Sequence, residues 1–243
     1  MSAVDDAASL RERIEHADPQ ALPRVLAELH GLLVPGATST FTVPTFEELR
    51  DVLAGAGFDV IALDDAGGGS PVQVTARRAR TLPDFVAPRM RLLLCGLNPS
   101  LYSADAGVSF ARPGNRFWPA ALAAGIVSRP RDPVHALDHH HVGMTDTVKR
   151  ATARAGELSA EEYRTGVARV ERLVRWLQPR VVCFVGMGGY RVAVDRHAVA
   201  GVQPEPFAGV QTYVMPNPSG VNAHATPALL ADHLRAAAAL AGS

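Results

Sequence analysis

Two short runs with hardly a polar residue, MRLLLCGL (90–97) and RVVCFVG (180–186), constrain this chain more than any other feature. A strand with one wet face alternates apolar and polar residues, whereas an unbroken apolar run must be dry on both faces. QTYVMPNPSG (211–220) reads as a third strand and VGMTDTV (142–148) as a strand edge. Between them, NRFWPAALAAGI, SAEEYRTGVARVERLVRWLQ and TPALLADHLRAAAALA carry apolar residues at helical intervals. The second of these opens with Ser159 and has Glu162 three residues on, a capping box. Buried strands separated by helices predict an α/β fold for residues 82–243, a three-layer αβα arrangement with a mostly parallel central sheet.

Residues 1–81 follow another pattern and are expected to form a small, mostly helical appendage. SLRERIEHA and ALPRVLAELHGLL have helical periodicity, VPGATST interrupts it, and Thr45 stands as an N-cap before FEELRDVLAGAGF, with Glu48 three residues on. FDVIAL and VQVTA flank the turn-like DDAGGGSP and read as two strands. A helix followed by a hairpin is also the pattern of a winged helix, for which Arg77, Arg78 and Arg80 are the basic feature. Formal neutrality hides an asymmetry: residues 1–65 hold four Arg against twelve Asp or Glu, and residues 66–243 hold twenty Lys or Arg against twelve. A basic body suits a polyanion, and an acidic front suits docking on that body or competing for it. The two cysteines, Cys95 and Cys183, lie in apolar runs and exclude a disulfide framework or a four-cysteine metal site. Absence of a membrane-length apolar stretch and of a signal-like start leads to the expectation of a cytoplasmic protein without a membrane partner.

Ligands of open α/β sheets bind beyond the carboxyl ends of the strands. GLNPS follows the first run and MPNPSGVNAH the last strand, each placing Asn beside Pro in a Gly- and Ser-rich loop. Asn-Pro is ordinary turn chemistry, but two such loops at matching strand ends point to a site with free N–H donors. HHH at 139–141 is not read as a metal site, since consecutive residues cannot converge on one ion. GMGGY (186–190) lacks the glycine spacing and lysine of a phosphate loop and reads as a strand-to-helix turn; it alone would support a nucleotide-binding protein.

GLNPSLYSADAGVSFARPGNRFW closely resembles the first motif of the mismatch-specific uracil-DNA glycosylases and their thymine-DNA glycosylase relatives, and VMPNPSG resembles their second. The resemblance covers residues 82–243. It implies a base-excision DNA repair enzyme that flips uracil, or a related damaged base such as hypoxanthine, out of double-stranded DNA and hydrolyses its glycosidic bond without cofactor or metal. Asn98 is the implied catalytic residue, positioning water through its amide rather than deprotonating it. The resemblance also implies that Leu97, Ser100, Ser103, Phe110 and Asn217 bind substrate. Main-chain donors at Leu97 and Asn98, with Asn217, would stabilise the departing base, Phe110 would stack on it, and Ser103 would crowd its carbon 5. DNA contact falls to Arg112, Arg116, Ser219, Gly220, Val221, Asn222 and His224, with Val221 as the wedge, and Asn115 is expected to brace the loop. Ser100 stands where the family commonly has Gly, and GVNAH lacks the longer wedge and nearby Arg.

Asp146, at a predicted strand end, is read as a second catalytic residue that polarises the water, or else as a solvated or Arg-paired carboxylate. Lys149 is the chain's one lysine, and no amine nucleophile stands in the motifs, so a monofunctional enzyme is expected; a monomer is expected as well. The alternative is a module that captures damaged DNA without cleaving it.

Overall fold

The structure, a computed structural model, describes residues 3–64, 71–220, 222 and 225–242. Helices α1 (Ala3–Glu15) and α2 (Leu22–Leu32) are followed by strand β1 (Thr38–Val43), helix α3 (Leu49–Gly55), and strands β2 (Phe58–Asp64) and β3 (Val72–Arg78). These strands form an antiparallel sheet of order β1-β3-β2, with Phe41 opposite Val74 and Val60 opposite Ala76. The segment read as a mere interruption, around residues 38–43, is therefore a strand; its Thr, Phe and Val suit a pleated, half-buried surface. Helix α3 starts at Leu49 with Glu48, not Thr45, at its N-cap. Most of the DDAGGGSP turn lies outside the described residues. With α1 and α2 both ahead of β1, and α3 packed against the body, the winged-helix pattern is only partly met.

The body begins with β4 (Leu92–Gly96), α4 (Leu101–Ala106), α5 (Phe117–Ala123), α6 (Pro133–His140) and β5 (Val142–Asp146). It continues with α7 (Ala160–Leu177), β6 (Val181–Val185), α8 (Met187–Ala193), the short β7 (Gly201–Val202), β8 (Gln211–Met215) and α9 (Pro227–Ala239). The sheet order is β5-β4-β6-β8-β7, parallel except for β7. Each central strand is dry on both faces, as its composition demands. Leu92, Leu94, Cys183 and Val185 pack with α5 and α9, whereas Leu93, Cys95, Val182 and Phe184 pack with α7 and α8. The two cysteines thus sit on opposite faces of the sheet as buried thiols. Ser159 and Glu162 form the capping box of α7, whose Gln178 closes the helix in the left-handed region.

From β4 the chain winds first to β5 on one side and then, through α7, to β6 on the other. That reversal opens a crevice at the carboxyl ends, where Gly96 pairs with Asp146 and Val185 with Met215.

The N-terminal unit rests on the body. Phe46 stacks on Trp176 of α7 with ring centroids 5.5 Å apart, Arg172 holds Asp51, Arg24 of α2 pairs with Asp138, and Arg80 pairs with Asp105. The exposed ion pairs contribute little each, so the aromatic contact should dominate. Trp176→Ala is expected to lower the unfolding free energy by about 2–3 kcal/mol in urea denaturation followed by circular dichroism; a loss below about 0.5 kcal/mol would contradict this.

Candidate active site

After β4 the backbone leaves the sheet at Leu97, and the next residue turns its side chain onto the loop that follows β5. Asn98 Nδ2 donates to Arg150 O at 2.9 Å, to Thr152 Oγ1 at 2.8 Å and to Pro99 O at 3.2 Å. Two of these partners are carbonyls and the Thr152 hydroxyl donates to Arg154 O, so all three accept and the nitrogen is assigned by its neighbours. The amide oxygen remains available to accept. Further main-chain bonds fasten the two loops together: Thr147 N to Gly96 O, Val148 N to Leu97 O and Thr152 N to Pro99 O. Among the described residues, no main-chain carbonyl takes the N–H of Leu97 or of Asn98.

Ser100 caps α4, accepting from Ser103 N at 3.1 Å. Its hydroxyl also donates to Ser103 Oγ, which in turn accepts from Ala111 N. The side chain that departs from the family pattern thus caps a helix and anchors Ser103 and the far end of the loop. Phe110 has φ 57°, a conformation aromatic residues seldom adopt, and its ring stacks 4.1 Å from that of the buried Phe117. Phe117 and Trp118 are core, the indole donating to Ser109 O. Asn115 braces the loop by accepting from Phe117 N at 2.9 Å.

The second Asn-Pro loop arrives from β8. Asn217 Oδ1 accepts from Ser219 N, an Asx turn, and its Nδ2 is left without a protein acceptor among the described residues. The two loops touch: Arg116 N donates to Pro218 O, and a β-carbon on Gly220 would stand 2.7 Å from Gly114 O. Glycine is therefore required at 220. Arg116, expected on phosphates, instead spends its guanidinium on the carbonyls of Asn222, Ala225 and Gly220, clamping the loop that follows the second motif. Asn222, expected to contact DNA, turns its amide inward to Asn217 O at 3.0 Å. Val221 and His224 lie outside the described residues.

The loops enclose a cleft of about 550 Å³. Leu97, Asn98, Ser100, Ser103, Phe110, Asn217 and Ser219 line it, together with Arg112, Asn115, Arg154 and Asp146. Arg112 and Arg154 have no carboxylate partner among the described residues, so both are available to an anion. Their cationic setting is what a phosphate backbone requires. Asp146 ends β5, opposite Gly96, where any β-carbon would collide with its Oδ1. No described protein group donates to its carboxylate, although its main-chain carbonyl accepts from Arg169 Nη2 at 2.9 Å. Asp146 is thus not Arg-paired through its carboxylate, and it lines the cleft while only 8% exposed. Burial pushes the carboxyl up to about 6; Lys149 and Arg169 oppose that shift and Asp84 reinforces it.

The sign of the stability effect follows. The unfolded carboxyl ionises near the ordinary 3.8 and the folded one near 6, so stability falls as pH rises through that window. Asp146→Asn, which cannot ionise, should gain about 2–3 kcal/mol relative to the wild type between pH 3 and pH 8, measured by urea denaturation at both values. An unchanged difference would contradict the assigned environment.

The sequence matches the Uracil DNA glycosylase superfamily over residues 83–239. Among solved structures, the chain is similar to a candidate uracil DNA glycosylase from Methanosarcina acetivorans determined by solution NMR. The identity is 21%, the TM-score 0.46, and the likeness covers 66% of this chain and 97% of that one.

Proposed function

The chain belongs to the uracil DNA glycosylase superfamily, and from that premise we propose that it is a monofunctional, mismatch-specific DNA glycosylase that removes uracil from double-stranded DNA. The observation that carries this reading is the meeting of the two Asn-Pro loops around one cleft that Asn98, Asp146, Phe110 and Asn217 share. A base enters such a site only by leaving the duplex, which costs a few kcal/mol and least for a mispaired base. Phe110, backed by Phe117, offers the flipped base an apolar surface. As the glycosidic bond breaks, negative charge grows on the base; the free Nδ2 of Asn217 and the Leu97 and Asn98 N–H groups are donors suited to it.

The sugar left behind has oxocarbenium character and accepts a weak nucleophile. Asn98 Oδ1 holds the water, because Nδ2 is committed to the loop after β5. Asp146 supplies the negative charge that polarises it and takes its proton once the carboxyl is ionised. Activity should therefore climb through pH 6 and level off above. The step needs no amine nucleophile, and the single lysine is engaged in a buried ion pair.

An oligonucleotide with one uracil opposite guanine tests the proposal. Alkali-labile cleavage is expected from the wild type. Asn98→Ala should reduce single-turnover excision by about 10²–10³-fold and Asp146→Asn by about 10²-fold. Retarded mobility without cleavage by the wild type would make the chain a binding module. Unchanged excision by Asp146→Asn would remove that residue from the mechanism. A panel including hypoxanthine in the same duplex identifies the preferred base.

A further inference from the structure

Against the strand end that carries Asp146 lies a cluster of charges that the reaction just described does not use. Asp84, in the link between the N-terminal unit and β4, is buried at 3% exposure. Its Oδ1 accepts from Lys149 Nζ at 2.7 Å and from Thr145 Oγ1 at 2.8 Å, and its Oδ2 accepts from Arg169 Nη1 at 2.8 Å. Arg169 Nη2 continues to Thr145 Oγ1 and to the main-chain carbonyl of Asp146. We propose that Asp84 is a positioning residue for the reaction, holding Lys149 and Arg169 against the segment that carries Asp146, and that the N-terminal unit seals this cluster from water. The proposal rests on the glycosylase reading of the cleft and assigns it a support from outside the motifs.

Three observations converge on it. First, the segment from Thr145 to Thr152 is gripped on two sides. Motif residues hold Thr147, Val148, Arg150 and Thr152, while Asp84 holds Thr145 and Lys149, and Thr81 Oγ1 donates to Lys149 O. Any shift of Asp84 is thus transmitted to the acceptors that orient the Asn98 amide.

Second, the seal is direct. Gly55, the last residue of α3, accepts from Asp84 N at 2.8 Å, and a β-carbon there would stand 2.5 Å from Asp84 Oδ2 and 3.0 Å from Arg169 Nη1. The backbone of the N-terminal unit therefore lies against the ions, and only glycine permits that approach. Removing water strengthens the influence of each charge on the others.

Third, the charges balance only as a set. Two carboxylates, Asp84 and Asp146, face two cations, Lys149 and Arg169. The other titratable or charged neighbours include Cys95 on β4, whose thiol burial pushes up to about 12; His30 of α2, pushed down to about 4 by burial with Arg78 and Lys149 adding to it; Arg78 itself; and Arg112 and Arg154, which line the cleft. A buried ion cluster is weak evidence for stability, since a well-packed apolar replacement often does as well. Its contact with the segment that carries an unpaired carboxylate suits an electrostatic task.

Removing the charge of Asp84 leaves Asp146 facing two cations without their counterion. The test is a pH titration of the Asp146 side-chain carboxyl by ¹³C NMR in full-length protein, with Asp146→Asn identifying the signal. The wild-type midpoint is expected near 6. Asp84→Asn should move it down by roughly one pH unit. Lys149→Met, which removes a cation and serves if Asp84→Asn does not fold, should move it up by a similar amount. The acid limb of single-turnover uracil excision should follow in both, with the plateau rate of Asp84→Asn reduced about 10-fold and affinity for a duplex with an uncleavable uracil nucleotide within twofold of wild type. An unmoved Asp146 midpoint in a cooperatively folded variant would overturn the inference, as would moved midpoints with unaltered excision. If the wild type excises no uracil while the midpoint still moves with Asp84, the glycosylase reading fails and the coupling between Asp84 and Asp146 stands.

Discussion

One carboxamide nitrogen ties the candidate site together. Asn98 stands at the end of β4, and the acceptors of its Nδ2 belong mainly to the loop after the neighbouring strand, β5. Because those acceptors are a carbonyl and a hydroxyl already donating elsewhere, the amide has a single satisfactory orientation, with its oxygen outward. Parallel pairing of β4 with β5 brings Gly96 level with Asp146 and so delivers both loops to the same height. The crevice comes from the reversal of winding between β4 and β6, and the amide lines that crevice with an oxygen left free to accept, the atom to which the proposed reaction assigns the water.

The same region concentrates the costs of the fold. A buried carboxyl without a donor, an aromatic residue in the left-handed region and a glycine that cannot carry a side chain all occur within the first Asn-Pro loop or against it. Such features are destabilising and persist where the surroundings over-determine them. Here the surroundings are two hydrophobic layers on a sheet dry on both faces, a second small sheet packed through Trp176, and a guanidinium that clamps the second Asn-Pro loop. The N-terminal unit joins the body through an aromatic stack and ion pairs of both polarities, so its acidic composition is partly spent on α7.

Much of the body was legible in the sequence because a buried parallel strand leaves an unmistakable trace: LLLC and VVCFV have no polar face to lose. Ser159 and Glu162 announced α7 for an equally local reason. Other elements were hidden because their causes are not local. The strand at 38–43 owes its state to pairing with β3, and α3 begins four residues after Thr45. The site divides in the same way. Asn98, Phe110 and Asn217 were readable from the motifs, and Asp146 from its place at a strand end. The duty of Arg116 was not, since an arginine after a glycine-rich loop signals phosphate as readily as carbonyl, and only the approach of the second loop decides between them. Asp84 gave no signal at all; its importance arises from partners 61 to 85 residues away.

The central claim is that both Asn-Pro loops close on a single extruded base. Adding a duplex that carries an uncleavable 2′-fluoro-deoxyuridine opposite guanine to ¹⁵N-labelled protein tests it most directly. The account predicts that the side-chain amide of Asn217 and the main-chain amides of Leu97 and Asn98 shift together, while the Asn98 side-chain amide, held by its own loop, moves least. Shifts confined to residues away from the cleft, or to only one of the two loops, would contradict it.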